Sequence, residues 1–132
     1  MNHRFEYSQI ADLRKNLAIT GHTTIQLMSG SMSPVLKTGD TATIEPVAID
    51  DLVMRDIIVF WSDDKLICHV VWAHSTMRSA SGERMIVTRG LASLHFDYPV
   101  RESEIIGRVK SHRIGALAFL WYQILNKFRL KR

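Results

Sequence analysis

Hydrophobic and polar positions change rhythm twice along the chain. Over residues 5–18, Phe5, Ile10, Leu13 and Leu17 recur at helical spacing and Gly21 follows, which predicts a short helix within residues 1–20. From residue 21 to about residue 112 the apolar and β-branched residues come in short runs instead: Thr23–Met28, Thr41–Glu45, Ile57–Trp61, Leu66–Trp72, Met85–Thr88 and Ile105–Val109. Turn-forming residues separate them at Ser33-Pro34, Gly39-Asp40, Ser62-Asp63-Asp64, Ser81-Gly82 and Tyr98-Pro99. Short strands at this spacing predict a mainly-β domain, a compact barrel or a coiled sheet. From residue 114 the helical rhythm returns, with Ile114, Leu117, Trp121, Leu125 and Phe128 on one face. Phe119, Leu120 and Ile124 fall off that face, so this helix is apolar nearly all round. No repeat, linker or low-complexity stretch interrupts the pattern. The expectation is one domain over 1–132: an N-terminal helix (1–20), a β domain (21–112) and an apolar, basic C-terminal helix (113–132).

Composition changes this picture little, but the placement of charge changes it a good deal. Hydrophobic residues make up 46% of the 132 positions and charged ones 23%, an ordinary globular balance. The net charge of +4 is local: Lys127, Arg129, Lys131 and Arg132 stand in the last six residues without an acid. The remaining 13 basic residues match 13 acidic ones over residues 1–126. A neutral body argues against a nucleic-acid binder, which spreads basic residues over its folded face. A basic tail beside an apolar helix fits an anionic membrane surface, reached through residues 114–132. The same helix equally suits docking on the domain or pairing in a homodimer. The start of the chain is broken by Arg4, Glu6, Asp12, Arg14 and Lys15 and reads as no signal peptide. The strongest apolar run, Ile114–Leu125, is short of the roughly 20 residues that span a bilayer. These features lead to an expectation of a cytoplasmic protein or one peripheral at the membrane. Cys68 is the one cysteine, so no internal disulfide forms.

The chemistry concentrates after the first expected strand, in Met28-Ser29-Gly30-Ser31-Met32-Ser33-Pro34. A serine becomes a nucleophile when it sits on a tight turn beside a base, with donors for the oxyanion. Gly30 allows the turn, Ser31 stands at it, Ser29 offers a hydroxyl, and Pro34 fixes the chain behind. Alone, such a heptapeptide is more often an inert Ser/Gly/Pro loop.

The context narrows the choice. Ser29-Gly30-Ser31-Met32-Ser33-Pro34, then Leu36 and Gly39-Asp40, resembles the nucleophile box of type I signal peptidases and self-cleaving SOS repressors, S-G-S-M-x-P followed by a G-D turn. Arg55-Asp56-Ile57-Ile58-Val59-Phe60 resembles the G-D-I-V-x-F strand of that family, with Arg55 in place of glycine. Cys68-His69-Val70-Val71 resembles the second catalytic box, in the form with histidine found in endoplasmic-reticulum and archaeal members and some small bacterial ones. Thr88-Arg89-Gly90 through Asp97 and Ile105-Ile106-Gly107-Arg108-Val109 resemble the closing T-K-G-D-N…D…I-I-G-x-V block. The four blocks stand in order over residues 23–110.

What the resemblance implies is a signal-peptidase-type coiled β-barrel with a helix at each end, and a serine endopeptidase that cuts an extended leader or precursor peptide. It implies Ser31 as acylating nucleophile, His69 as general base and Asp97 as the acid that orients it. The Ser31 N–H and the Ser29 hydroxyl would form the oxyanion hole, and Met32 and Pro34 would line the substrate site. No cofactor or metal is expected, because Ser-His acyl transfer needs neither. One departure matters: Leu91 and not aspartate follows Gly90, and Ala92 and Ser93 stand where the family tends to keep asparagine. Should Leu91 hold the place of the orienting acid, only Asp97 is left to serve, and an inactive homologue that binds extended peptides is the rival reading. An autocleaving regulator is a further rival. About 20 residues before the nucleophile strand are too few for a helix-turn-helix, and no Ala-Gly or Cys-Gly bond occurs.

Neighbouring residues invite other readings. A Cys68-His69 dyad conflicts with alternation along a strand, which turns the two side chains to opposite faces. His22, His69, His74 and His95 lack a metal-site spacing. Phe60, Trp61 and Trp72 are expected in the core, since Asp63 and Asp64 beside Trp61 disfavour a nucleic-acid stacking platform.

Overall fold

The structure, a computed structural model, describes residues 7–27, 30–33, 35–93 and 95–130. Helix α1 (Tyr7–Thr20) precedes β1 (Thr23–Gln26), β2 (Thr41–Glu45), β3 (Ile57–Ser62), β4 (Lys65–Arg78), β5 (Arg84–Arg89), β6 (Val100–Arg101) and β7 (Ile105–Val109), and α2 (Ala116–Leu130) closes the chain. Every pairing is antiparallel, in the order β1-β2-β7-β3-β4-β5-β6.

Local chemistry accounts for the punctuation. Gly21, at φ +78°, ends α1 and its N–H reaches back to the Leu17 carbonyl at 2.9 Å, a left-handed helix stop that suits glycine. Asp63 and Asp64, at φ 52° and 60°, form the two-residue turn between β3 and β4. Both positions carry the positive φ that matches the strand twist of a tight hairpin, and aspartate tolerates it better than most residues.

The sheet is apolar on both faces, which explains why Ile57–Phe60 is fully buried while β2 alternates. On one face Ile57, Val59 and Val70 pack with Ile10 and Leu17 of α1, Ile114 before α2, and Phe119 of α2. On the other, Ile58, Phe60 and Val71 pack with Ile49, Leu52 and Val100. Both helices therefore cover the same face.

The expected closed barrel is not formed. Strands β1 and β6 are the two edges of an open seven-stranded sheet. No pairing joins these two edges, which are short, at four and two residues, and helices and loops cover the core. The mainly-β class agrees with the pattern of short runs. Strand β6 was not legible, because two residues carry no period.

Candidate active site

The serine turn lies between β1 and β2. The Ser33 N–H donates to the Gly30 carbonyl at 3.0 Å and the Leu36 N–H to the Met32 carbonyl at 3.0 Å. Met32 and Leu36, 1% and 0% exposed, are the apolar pegs that hold this turn against the helix-covered core. Met32, expected to line a substrate site, is thus turned into the core. Ser29 and Pro34, expected in the oxyanion hole and the substrate site, lie outside the described residues.

Strand β4 brings the histidine. Alternation sends Cys68 and Val70 to the helix-covered core and His69 to the other face, where its ring meets Phe60 edge-on at 6.1 Å. His69 is buried. Its Nε2 lies 2.9 Å from Ser31 Oγ, joining residues 38 positions apart in sequence.

The acid arrives from the segment after β5. Asp97 Oδ2 lies 2.5 Å from His69 Nδ1. The same oxygen accepts the Thr88 hydroxyl at 2.8 Å, while the Asp97 N–H donates to the Thr88 carbonyl at 3.0 Å. Fully buried Thr88 thus fixes the acid by main chain and side chain together. With Nδ1 donating to the carboxylate, Nε2 is the nitrogen left to accept from Ser31, the tautomer a general base requires.

Leu91 does not compete for the role of orienting acid. It is 2% exposed and packs in the core. Its neighbours tie the two loops of the site together: the Ala92 N–H donates to the Ser31 carbonyl at 2.8 Å. Gly90 is the point of closest approach. A β-carbon there would lie 2.8 Å from the Ser31 carbonyl oxygen and 3.0 Å from His69 Nε2. Arg89, 1% exposed, donates from Nε and Nη2 to the Ser93 carbonyl at 3.2 and 3.0 Å. Its guanidinium lies over the Phe96 ring at 4.8 Å and the Trp72 ring at 5.7 Å. The stretch leading to Asp97 is therefore held at Ser93 and Phe96, just before the acid.

Cys68 is chemically separate from this site. Burial pushes its thiol up to about 12, so it stays neutral and unreactive at ordinary pH. His74, five residues beyond His69, is engaged elsewhere, with Nε2 2.6 Å from the Leu52 carbonyl. Among the described residues no group of three His, Cys, Asp or Glu side chains is arranged to hold a metal ion.

The contributions of Thr88, Arg89 and Gly90 were not visible as such in the sequence. Each depends on where the segment after β5 folds back, and the one available signal was their place in the closing block that ends at Asp97. No protein-family model, no curated protein and no solved structure matches the chain.

Proposed function

We propose that this chain is a serine endopeptidase of the signal-peptidase type, acting on a leader or precursor peptide through Ser31, His69 and Asp97. The observation that carries this reading is the continuous relay from Ser31 Oγ through the His69 ring to Asp97, with contacts of 2.9 and 2.5 Å. Three side chains from separate segments converge in the order acyl transfer needs.

In this reading Ser31 Oγ attacks the scissile carbonyl as His69 Nε2 takes its proton. The imidazolium is stabilised by Asp97 and returns the proton to the leaving amine, which departs with the C-terminal part of the substrate. Water then enters, gives a proton to His69 and attacks the acyl-enzyme; His69 passes that proton to the departing Ser31 Oγ, which restores the hydroxyl and releases the carboxylate product. Asp97, fixed by Thr88, keeps the imidazole in the productive tautomer throughout. No step needs a cofactor.

The rival reading, a peptide binder that does not cut, rests on Leu91. With Leu91 in the core and Asp97 in contact with the histidine, no observation favours that rival. The test is labelling with a fluorophosphonate probe, followed by peptide mapping. The expected result is one adduct on Ser31, absent from Ser31→Ala. A folded wild-type protein that takes no label, or a Ser31→Ala variant labelled equally well, overturns the proposal.

A further inference from the structure

Helix α2 has two apolar faces, and the fold uses only one of them. Phe119, 3% exposed, packs against Trp72 with ring centres 4.8 Å apart and planes tilted by 59°, and Tyr122 packs on the same core. On the opposite side Leu117, Leu120, Trp121 and Ile124 are 84%, 52%, 59% and 40% exposed. At about 100° per residue these four positions form one stripe centred roughly 180° from Phe119 and Tyr122. The body adds exposed apolar side chains near this helix. Val53 and Met54, 60% and 50% exposed, precede β3, and the Gln123 amide reaches Met54 Sδ at 3.9 Å.

Charge accompanies this apolar surface. No acidic residue follows Glu104, whereas Arg108, Lys110, Arg113, Lys127, Arg129, Lys131 and Arg132 do. Four of these seven fall at or beyond the last turn of α2, and exposed Lys110 and Arg113 shortly precede its start. Residues 1–126 are otherwise neutral, so in sequence the excess positive charge follows directly on the exposed apolar stripe.

We propose that the outer face of α2, with its basic end, docks the protein in the plane of an anionic lipid surface. The helix is about 22 Å long by its 15 residues, well short of the roughly 30 Å hydrocarbon core. No helix among the described residues is long and apolar enough to cross a membrane. An in-plane helix with the apolar stripe down, Trp121 at the headgroup level and cations on the phosphates satisfies both the exposed side chains and the charge asymmetry. A second copy of the chain would cover the stripe but, with a neutral body, offers no net negative charge to the basic residues. The anionic surface is therefore the occupant with the complementary charge. This inference concerns a surface apart from Ser31 and does not depend on the peptidase reading.

The test uses the full chain with vesicles of phosphatidylcholine alone and of phosphatidylcholine mixed with phosphatidylserine. Binding is read by co-sedimentation and by the blue shift of tryptophan emission. The expected result is binding to the mixed vesicles only, weakened by salt. The quadruple variant Lys127→Gln, Arg129→Gln, Lys131→Gln, Arg132→Gln should lose roughly 10²–10³-fold in partitioning. Leu120→Ser with Trp121→Ser should lose about tenfold or more, since both side chains are exposed and leave the core untouched. Trp121→Phe should still bind but lose most of the blue shift, because Trp61 and Trp72 are already part-buried. Unchanged thermal unfolding of each variant shows that the fold is kept. Absence of binding to the mixed vesicles, equal binding to both vesicle types, or equal binding by the quadruple and double variants overturns the proposal. A lipid-free dimer that Trp121→Ser dissociates also overturns it and assigns the stripe to a second copy of the chain.

Discussion

Gly90→Ala is the substitution that asks most directly whether the packing of the two loops sets the reactivity of Ser31. The added methyl would sit 2.5 Å from Ser93 Oγ, 2.8 Å from the Ser31 carbonyl oxygen and 3.0 Å from His69 Nε2. The first contact is relieved by rotating a serine side chain. The second is with main chain, and the third with the imidazole nitrogen that faces Ser31 Oγ. Restoring an ordinary contact near 3.4 Å means moving the Ser31 carbonyl by about half an ångström, which also stretches its 2.8 Å bond from the Ala92 N–H. Overpacking of this kind costs about 1–3 kcal/mol, or roughly 5–10 °C in Tm for a chain of this size. The same displacement separates Ser31 Oγ from His69 Nε2 beyond their present 2.9 Å. A reacting group misplaced by this much loses about 10- to 100-fold in rate. The assay is the second-order rate of fluorophosphonate acylation, measured well below Tm beside thermal unfolding. Gly115→Ala is the control for acylation: beyond its chain neighbours nothing lies within 4 Å of the added methyl, so the acylation rate should be unchanged, with at most the small stability loss of alanine at the N-cap of α2. A Gly90→Ala protein that acylates at the wild-type rate would refute the steric argument.

The remaining predictions follow from the same site. Asp97→Asn should lower the acylation rate by about 10³–10⁴-fold with the fold intact, because the imidazole loses the partner that sets its tautomer; a near-neutral effect would mean that Ser31 and His69 work as a dyad. Thr88→Val removes the second donor to Asp97 Oδ2, which should cost about 1.5–3 kcal/mol of stability and slow acylation, read by denaturant titration and acylation rate together. The Cys68 thiol is raised from 9.0 to about 12 on folding, so the unfolded chain releases its proton first. Stability is therefore fully present below pH 9 and declines from there towards pH 12, by about 1.4 kcal/mol per unit. Cys68→Val should flatten that alkaline decline, and an unchanged slope in the variant would count against the burial.

The sequence by itself determined the mainly-β class, most strand positions and the two terminal helices. These depend on period, β-branching and turn residues within short windows. The positions of β2 and β7 follow directly from Thr41–Glu45 and Ile105–Val109. The opposite facing of Cys68 and His69 follows from strand geometry alone. Period does not say whether a sheet closes, and the open edges at β1 and β6 emerged only in three dimensions. The face of α2 was equally out of reach. The spacing put Leu117 and Trp121 on one face with Ile114, whereas the fold buries Ile114 and Phe119, half-buries Tyr122 and leaves Leu117 and Trp121 outside. A helix apolar all round carries no internal signal of which side meets the sheet. The site divides in the same way. Ser31, His69 and Asp97 were recognisable as residues in ordered blocks, but whether Leu91 or Asp97 meets the histidine was not. That was decided by the fold of the segment after β5, where Thr88, Arg89 and Gly90 set the path. Leu91 is drawn into the core by its apolar side chain, and Asp97, ionisable and held by Thr88, is left facing the imidazole.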